Sequence, residues 1–218
     1  MTAERESSAA AHDRERLLLA VLAHVPFDGW SNAALAKGCA DAGLDREAWR
    51  EHFPGGVSDV VEYFHLYADE KTEAVMAAEN LAAMKIRDRI AAAVRIRLEL
   101  LARHREAVRR TCAYFALPQN IPLGLKCLGR TVDTIWRAIG DEATDFSYYT
   151  KRATLAGVYS ATLLYWLDDD SDGFSATFAF LERRIADVME LHKAREKFTR
   201  GFDEFAGRIG SFFSRPPS

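Results

Sequence analysis

Cysteine is scarce in this chain: there are three, at positions 39, 112 and 127. They are too far apart for a metal knuckle, and an odd count argues against a disulfide framework, so a reducing compartment is expected. Long apolar runs are also missing. The longest uncharged helical stretch, Ala153 to Leu167, has 15 residues, short of the roughly 20 that span a bilayer. Residues 1–16 hold no apolar segment and carry acids that organelle transit peptides avoid, so no targeting segment is expected there. The chain has no Walker loop, no Gly-x-Gly-x-x-Gly, no Gly-x-Ser-x-Gly and no Cys-x-x-Cys, which removes the common nucleotide, hydrolase and thiol-redox signatures. Period-two alternation and β-branched runs bounded by turn residues are absent, which excludes a sheet.

What remains is a helical pattern. The 218 residues suit one domain, or one with a small appended subdomain. With 49% apolar and 28% charged residues the chain reads as globular rather than disordered. A first helix carries Leu18, Val21, Leu22 and Val25 on one stripe and is expected to stop at Pro26. Ser31 caps a short helix ending at Gly43, and Asp45 caps a third, very short one ending at Phe53-Pro54-Gly55-Gly56. Three such helices have the outline of a helix-turn-helix. Further helices are expected from Ser58 toward Ala83, from Ile86 to about His104, and on to Leu117. Pro118 and Pro122 enforce a break, Gly140 closes the next helix, and another runs from about Phe146 to Leu167. The latter half of that helix is apolar all round, which predicts a central position. Asp168 to Gly173 reads as a solvated loop. Beyond it Phe174, Phe178, Leu181, Ile185 and Val188 form a narrow stripe suited to pairing with another helix. The organisation expected is a helix-turn-helix-like subdomain over 13–56, a bundle over 57–195 and an amphipathic helix over 196–214.

Charge is segregated. The stretch Lys85–Arg110 holds nine basic against three acidic side chains, and residues 193–218 hold six against three, inside a protein of net charge −3. Such blocks suit an anionic surface, whether phosphates or lipid headgroups, and equally suit a solvated arginine-rich helix face.

Two features point toward lipid. In the terminal segment Phe198, Phe202, Phe205, Ile209 and Phe212 share one helical face, with Phe213 adjoining, while Arg200, Asp203, Glu204, Arg208 and Ser211 lie opposite. This fits an interfacial membrane helix, or a terminal helix docked on its own bundle or on a dimer partner. The bundle itself is rich in large apolar side chains: Leu98, Leu101, Phe115, Leu117, Ile121, Leu125, Leu128, Val132, Ile135, Trp136, Leu155, Tyr159, Leu163 and Trp166. They would form either a solid core or the wall of an apolar pocket between helices. A di-iron bundle would need two Glu-x-x-His pairs on facing helices. The chain has one such tetrapeptide, Glu62-Tyr63-Phe64-His65, so His65 reads as structural and no metal is expected.

The first 65 residues resemble the TetR family of transcriptional regulators, through Trp30-Ser31 to Leu35-Ala36-Lys37, the Ala42-Gly43-Leu44 turn and His52-Phe53-Pro54. That family joins a helix-turn-helix to an all-α ligand-binding bundle dimerising through its last two helices. The helix that would enter the major groove, Asp45 to His52, sets three acids against two arginines. Phosphate neutralisation dominates DNA affinity, so DNA binding is not expected.

The remainder resembles a more specific relative of that fold, the family of the ninth Coq protein, lipid-binding accessory factors of coenzyme Q biosynthesis. The residues carrying this are Leu117-Pro118-Gln119-Asn120-Ile121-Pro122, Trp136 with Gly140-Asp141, Thr144-Asp145-Phe146-Ser147-Tyr148-Tyr149-Thr150-Lys151-Arg152, and Phe180-Leu181-Glu182-Arg183-Arg184. The resemblance implies a non-catalytic TetR-like homodimer, without a cofactor, that binds an isoprenoid quinone intermediate in its bundle. It implies contact with the membrane surface through the C-terminal helix, at the bacterial inner membrane or the matrix side of its mitochondrial equivalent. It also implies a partner, the di-iron demethoxyubiquinone hydroxylase or an equivalent quinone hydroxylase, docking around Asp145, Phe146, Tyr148, Tyr149 and Arg152. Tyr148 stands where some relatives have Trp. The second reading is a TetR-type repressor with an apolar ligand, and the third an enzyme acting on the lipid itself.

Overall fold

The computed structural model describes residues 2–79, 81–140 and 146–190. Its regular elements are all helical, with no strand among the described residues. The terminal apolar face, Phe198, Phe202, Phe205, Ile209, Phe212 and Phe213, lies outside the described residues, as does Asp145.

Helix α1 (Thr2–Asp28) runs through Pro26 instead of stopping before it. A proline two residues from a helix end removes one intrahelical bond and little else. Gly29, at φ +64°, ends the helix with its N–H on the Val25 carbonyl at 2.9 Å. Helix α2 (Asn32–Asp41) begins as its sequence predicts, Ser31 Oγ accepting from the Ala34 N–H at 3.2 Å. It crosses α1 closely at Gly38, where a Cβ would sit 2.8 Å from the Val21 backbone nitrogen, so only glycine allows the approach. Helix α3 (Trp49–His52) is a single turn. Asp45 does not cap it: its carboxylate accepts from Glu47 N–H at 2.9 Å and caps a preceding turn.

The bundle consists of α4 (Val57–Ala78), α5 (Ile86–Leu101), α6 (Arg105–Phe115), α7 (Ile121–Ala138), α8 (Phe146–Leu167) and α9 (175–190). A single core runs from Leu17, Leu18 and Phe53 under α1–α3 to Trp166, Leu181 and Ile185 at the far end. Trp30 ties the two halves, its Nε1 donating to Thr111 Oγ1 on α6 at 2.9 Å.

Several expectations change once the helices are packed. Part of the basic block of α5 and α6 is engaged by the chain's own carbonyls and carboxylates. Arg89 donates to the Ile139 carbonyl, Arg105 to Leu167 and Asp169 carbonyls, Arg109 to the Leu167 carbonyl and Asp168, and Arg110 to the Pro26 carbonyl. These arginines satisfy orphan carbonyls at the C-terminal ends of α7, α8 and α1, where a cation also complements the helix dipole. The Asp168–Gly173 loop is not uniformly solvated, since Asp169 is buried. Burial alone would raise its pKa, but hydrogen bonds from the Ser171 and Thr177 N–H groups and the Thr177 hydroxyl hold it well below the usual carboxylate range. The α9 stripe of Phe178, Leu181 and Ile185 is buried in the chain's own core. Helix α8 is not enclosed on all sides: Leu164 and Tyr165 are exposed, with Tyr165 stacked on Phe180 of α9 at 4.7 Å between ring centroids.

Candidate ligand-binding cavity

The bundle encloses a cavity of about 330 Å³ among α4, α5, α6, α7 and α8. Its wall is mostly apolar, contributed by Phe64, Ala68, Leu101, Val108, Phe115, Leu128 and Leu163. Towards solvent it is rimmed by Ile121, Leu125 and Leu164, all exposed, Leu125 by 64%. Exposed large apolar side chains grouped at one opening mark an interaction site more than scattered ones do.

Of the side chains expected from the sequence, Leu101, Phe115, Ile121, Leu125, Leu128, Tyr159 and Leu163 line this space. Leu98, Val132, Ile135 and Trp136 do not; they are buried in the packed core. Leu117 does not either, and is exposed in the turn before α7. The polar contributors Arg97, Thr111, Thr131 and Ser160 are not among the side chains expected from the sequence, and His65, expected as structural, lines the space as well. A helical wheel of α5 places Arg97 between Val94, Leu98 and Leu101, so an arginine on an apolar face was the available signal.

The inner end is a buried ion-pair network. Arg97 and Asp69 are 2% and 3% exposed and meet at 2.6 Å. Arg97 Nε also donates to Tyr159 Oη at 2.9 Å and its NH2 to Thr131 Oγ1 at 3.2 Å, while Thr131 donates to Asp69 at 2.8 Å. Arg130 reaches Asp69 at 3.1 Å and Glu62 at 3.5 Å, and Lys126 pairs with Glu62 at 2.7 Å. Glu62 and His65 thus part company: the carboxylate joins the α7 cations, and the imidazole turns to the cavity beside Phe115. No group of three metal-ligating side chains occurs among the described residues.

The stretch for which the family resemblance implies partner contact leads into α8. Tyr149 is 71% exposed, whereas Arg152 is clamped to Asp133 of α7 at 2.7 Å. The side chains of Phe146 and Tyr148 lie outside the described residues.

The family model described as COQ9 matches residues 121–192, which is α7, α8 and α9. The mitochondrial ubiquinone biosynthesis protein COQ9 of Rattus norvegicus is 33% identical over 206 residues, covering 91% of this chain and 66% of the rat protein. That of Homo sapiens is 32% identical, covering 91% of this chain and 64% of its own. The chain belongs to the COQ9 family. It spans about two thirds of the length of these COQ9 proteins. Its fold is that of a TetR regulator: a TetR transcriptional regulator from Nitrosomonas europaea superposes with a TM-score of 0.65 at 17% identity, covering 79% of this chain and 95% of the other. The COQ9-matched stretch supplies one wall of the cavity, from Ile121 through Leu128 and Thr131 to Tyr159 and Leu164. No helix among the described residues is long and apolar enough to cross a membrane.

His65 gives this COQ9 cavity a pH signature. Its Nδ1 is buried without a hydrogen-bond partner. Burial, reinforced by the positive Arg97 and Arg130, pushes its pKa down from 6.5 to about 3. A histidine depressed in the folded state binds its proton more readily when unfolded. Its contribution to stability is therefore complete above about pH 6.5 and declines as pH falls toward 3, by about 1.4 kcal/mol per pH unit. Urea denaturation at pH 7 and pH 5 should show this loss in the wild type and a flatter dependence in His65→Leu. Parallel dependences would show that water reaches the ring freely.

Proposed function

We propose that this protein is a non-catalytic lipid-binding factor of ubiquinone biosynthesis. It binds an isoprenoid quinone intermediate in the bundle cavity and presents it, at the membrane surface, to a partner quinone hydroxylase. The observation that carries this reading is the cavity itself, apolar along its wall and opening through an exposed apolar rim. A prenylated ring is nearly insoluble in water, and each Å² of its apolar surface taken from water releases roughly 25 cal/mol. The names of the COQ9 relatives supply the pathway.

The chemistry around the cavity favours holding over reacting. Arg97 and Asp69 are committed to each other. The Cys112 thiol is pushed up by burial, against a smaller opposing influence from Arg109, which keeps it protonated and a poor nucleophile at neutral pH. The repressor reading has less behind it. Helix α3 is a single turn of four residues, Trp49 is turned into the core, and Arg50 is paired with Glu47 at 3.3 Å.

Around the cavity, the exposed Tyr149 face at the start of α8 is the docking surface for the hydroxylase. A homodimer would form across α8 and α9, where Tyr165 and Phe180 stack and Met189 is exposed. Residues 196–214 would lie on the membrane. Extraction of the purified protein with organic solvent, followed by mass spectrometry, should release an isoprenoid or quinone-like lipid in near-stoichiometric amount; a clean extract would reduce the cavity to a packing defect. Liposome flotation should lose most of the bound protein for Phe202→Asp with Phe205→Asp, and undiminished flotation would remove the membrane step.

A further inference from the structure

Polar side chains, Thr111 among them, belong to the least accessible part of the cavity lining. Apolar side chains occupy the rim, while Arg97, Thr131, Tyr159 and His65 lie at the inner end, where Arg97, Thr131 and Tyr159 are nearly inaccessible. A pocket meant for an alkyl chain alone would reverse this, with a greasy floor and a polar mouth to meet a headgroup.

The hydrogen-bond roles at the inner end can be assigned. Arg97 and Lys-type cations can only donate, so Thr131 Oγ1, which accepts from Arg97, delivers its own proton to Asp69. Tyr159 Oη accepts from Arg97 Nε, and its own hydroxyl proton has no acceptor among the hydrogen bonds of the described residues. A donor left without a partner in such a place is unfavourable, and a ligand oxygen can recover the loss.

Charge narrows the ligand further. Arg97 is matched by Asp69, and Arg130 by Asp69 and Glu62. No uncompensated cation faces the cavity, and an isolated carboxylate or phosphate placed there would carry a desolvation penalty with nothing to offset it.

Building on the proposed function, we infer that the quinone is carried ring first, with a neutral ring oxygen accepting the Tyr159 hydroxyl proton and its prenyl tail leaving across Ile121, Leu125 and Leu164, and that the ring has to leave this end of the cavity before the partner hydroxylase can act on it. Tyr159 is thus the residue that distinguishes an oxygenated ring from a bare isoprenoid. A site built around a hydrogen bond discriminates strongly against analogues that lack the matching group.

The test compares two probes on the full chain: a ubiquinone analogue with a single isoprene unit, and farnesol, which has the tail but no quinone ring. Tyr159→Phe keeps the ring and the cavity shape. It should weaken the quinone roughly fivefold to tenfold, the size of one hydrogen bond, and leave farnesol unchanged. Infrared difference spectra of the bound quinone on the wild type should show a lowered carbonyl stretching frequency, a readout that needs no variant to fold. An unshifted carbonyl, or equal weakening of both probes in Tyr159→Phe, overturns the ring-first orientation while leaving the cavity a lipid site. If the wild type binds neither probe, the proposed function fails, and this inference with it.

Discussion

Asp69→Asn is expected to destabilise the protein by about 3–5 kcal/mol, the range seen when one partner of a buried ion pair is removed. The substitution keeps shape and removes charge. Arg97, 2% exposed, would lose the carboxylate it meets at 2.6 Å, and Thr131 would face a weaker acceptor. Arginine does not shed its proton to escape burial, so the full penalty falls on folding. Arg130 suffers less, because it keeps Glu62 and is a quarter exposed. Replacing both members, as Asp69→Leu with Arg97→Met, should recover most of the loss, since a well-packed apolar pair of similar volume avoids desolvation altogether. Urea unfolding at pH 7 reads both changes. A loss below about 1 kcal/mol in Asp69→Asn would mean that the pair is solvated.

Leu163→Trp should empty the cavity of lipid. Leu163 projects from α8 into the space and is only partly buried there. An indole at that position would occupy much of the room available to a prenylated ring. The amount of co-purified lipid should fall at least about tenfold, the effect of losing roughly 1.4 kcal/mol of binding. Because the added volume goes into a void, unfolding free energy should change by less than the 1–3 kcal/mol typical of overpacking a filled core. Retained lipid would place the ligand elsewhere, and a strong destabilisation would show that the space is filled with protein atoms in solution.

The two substitutions separate properties that one polar cluster combines. Asp69 and Arg97 hold α4, α5, α7 and α8 together through Thr131 and Tyr159. The same cluster ends the cavity. Tyr159 belongs to both, packed in the core and lining the cavity.

Most helix limits could be read from the sequence, because caps and breakers act within a few residues. Ser31, Gly43, Pro118, Pro122 and Gly140 each did locally what their chemistry dictates. Pro26 is the exception: a proline so near a helix end removes too little to stop it, and packing of Val25 and Leu22 into the core carries α1 onward. Asp169 was equally hard to foresee. Four acids in six residues read as solvated, yet one of them turns inward to cap α9 at Thr177.

Residue order alone establishes that the protein is all helical, that its amino-terminal helices follow a TetR outline without a basic reading helix, and that its later helices carry COQ9 character. These depend on periodicity, caps and local motif, which are short-range. Which of the apolar side chains face a cavity and which fill the core is settled by packing. Leu128 and Val132, four residues apart on α7, differ in this by a modest rotation about one helix axis. Packing also makes arginines at 89, 105, 109 and 110 close helix ends, because their carbonyl acceptors lie at least fifty residues away in the chain. Pairing at such separations is set by how helices stack, and no local pattern records it.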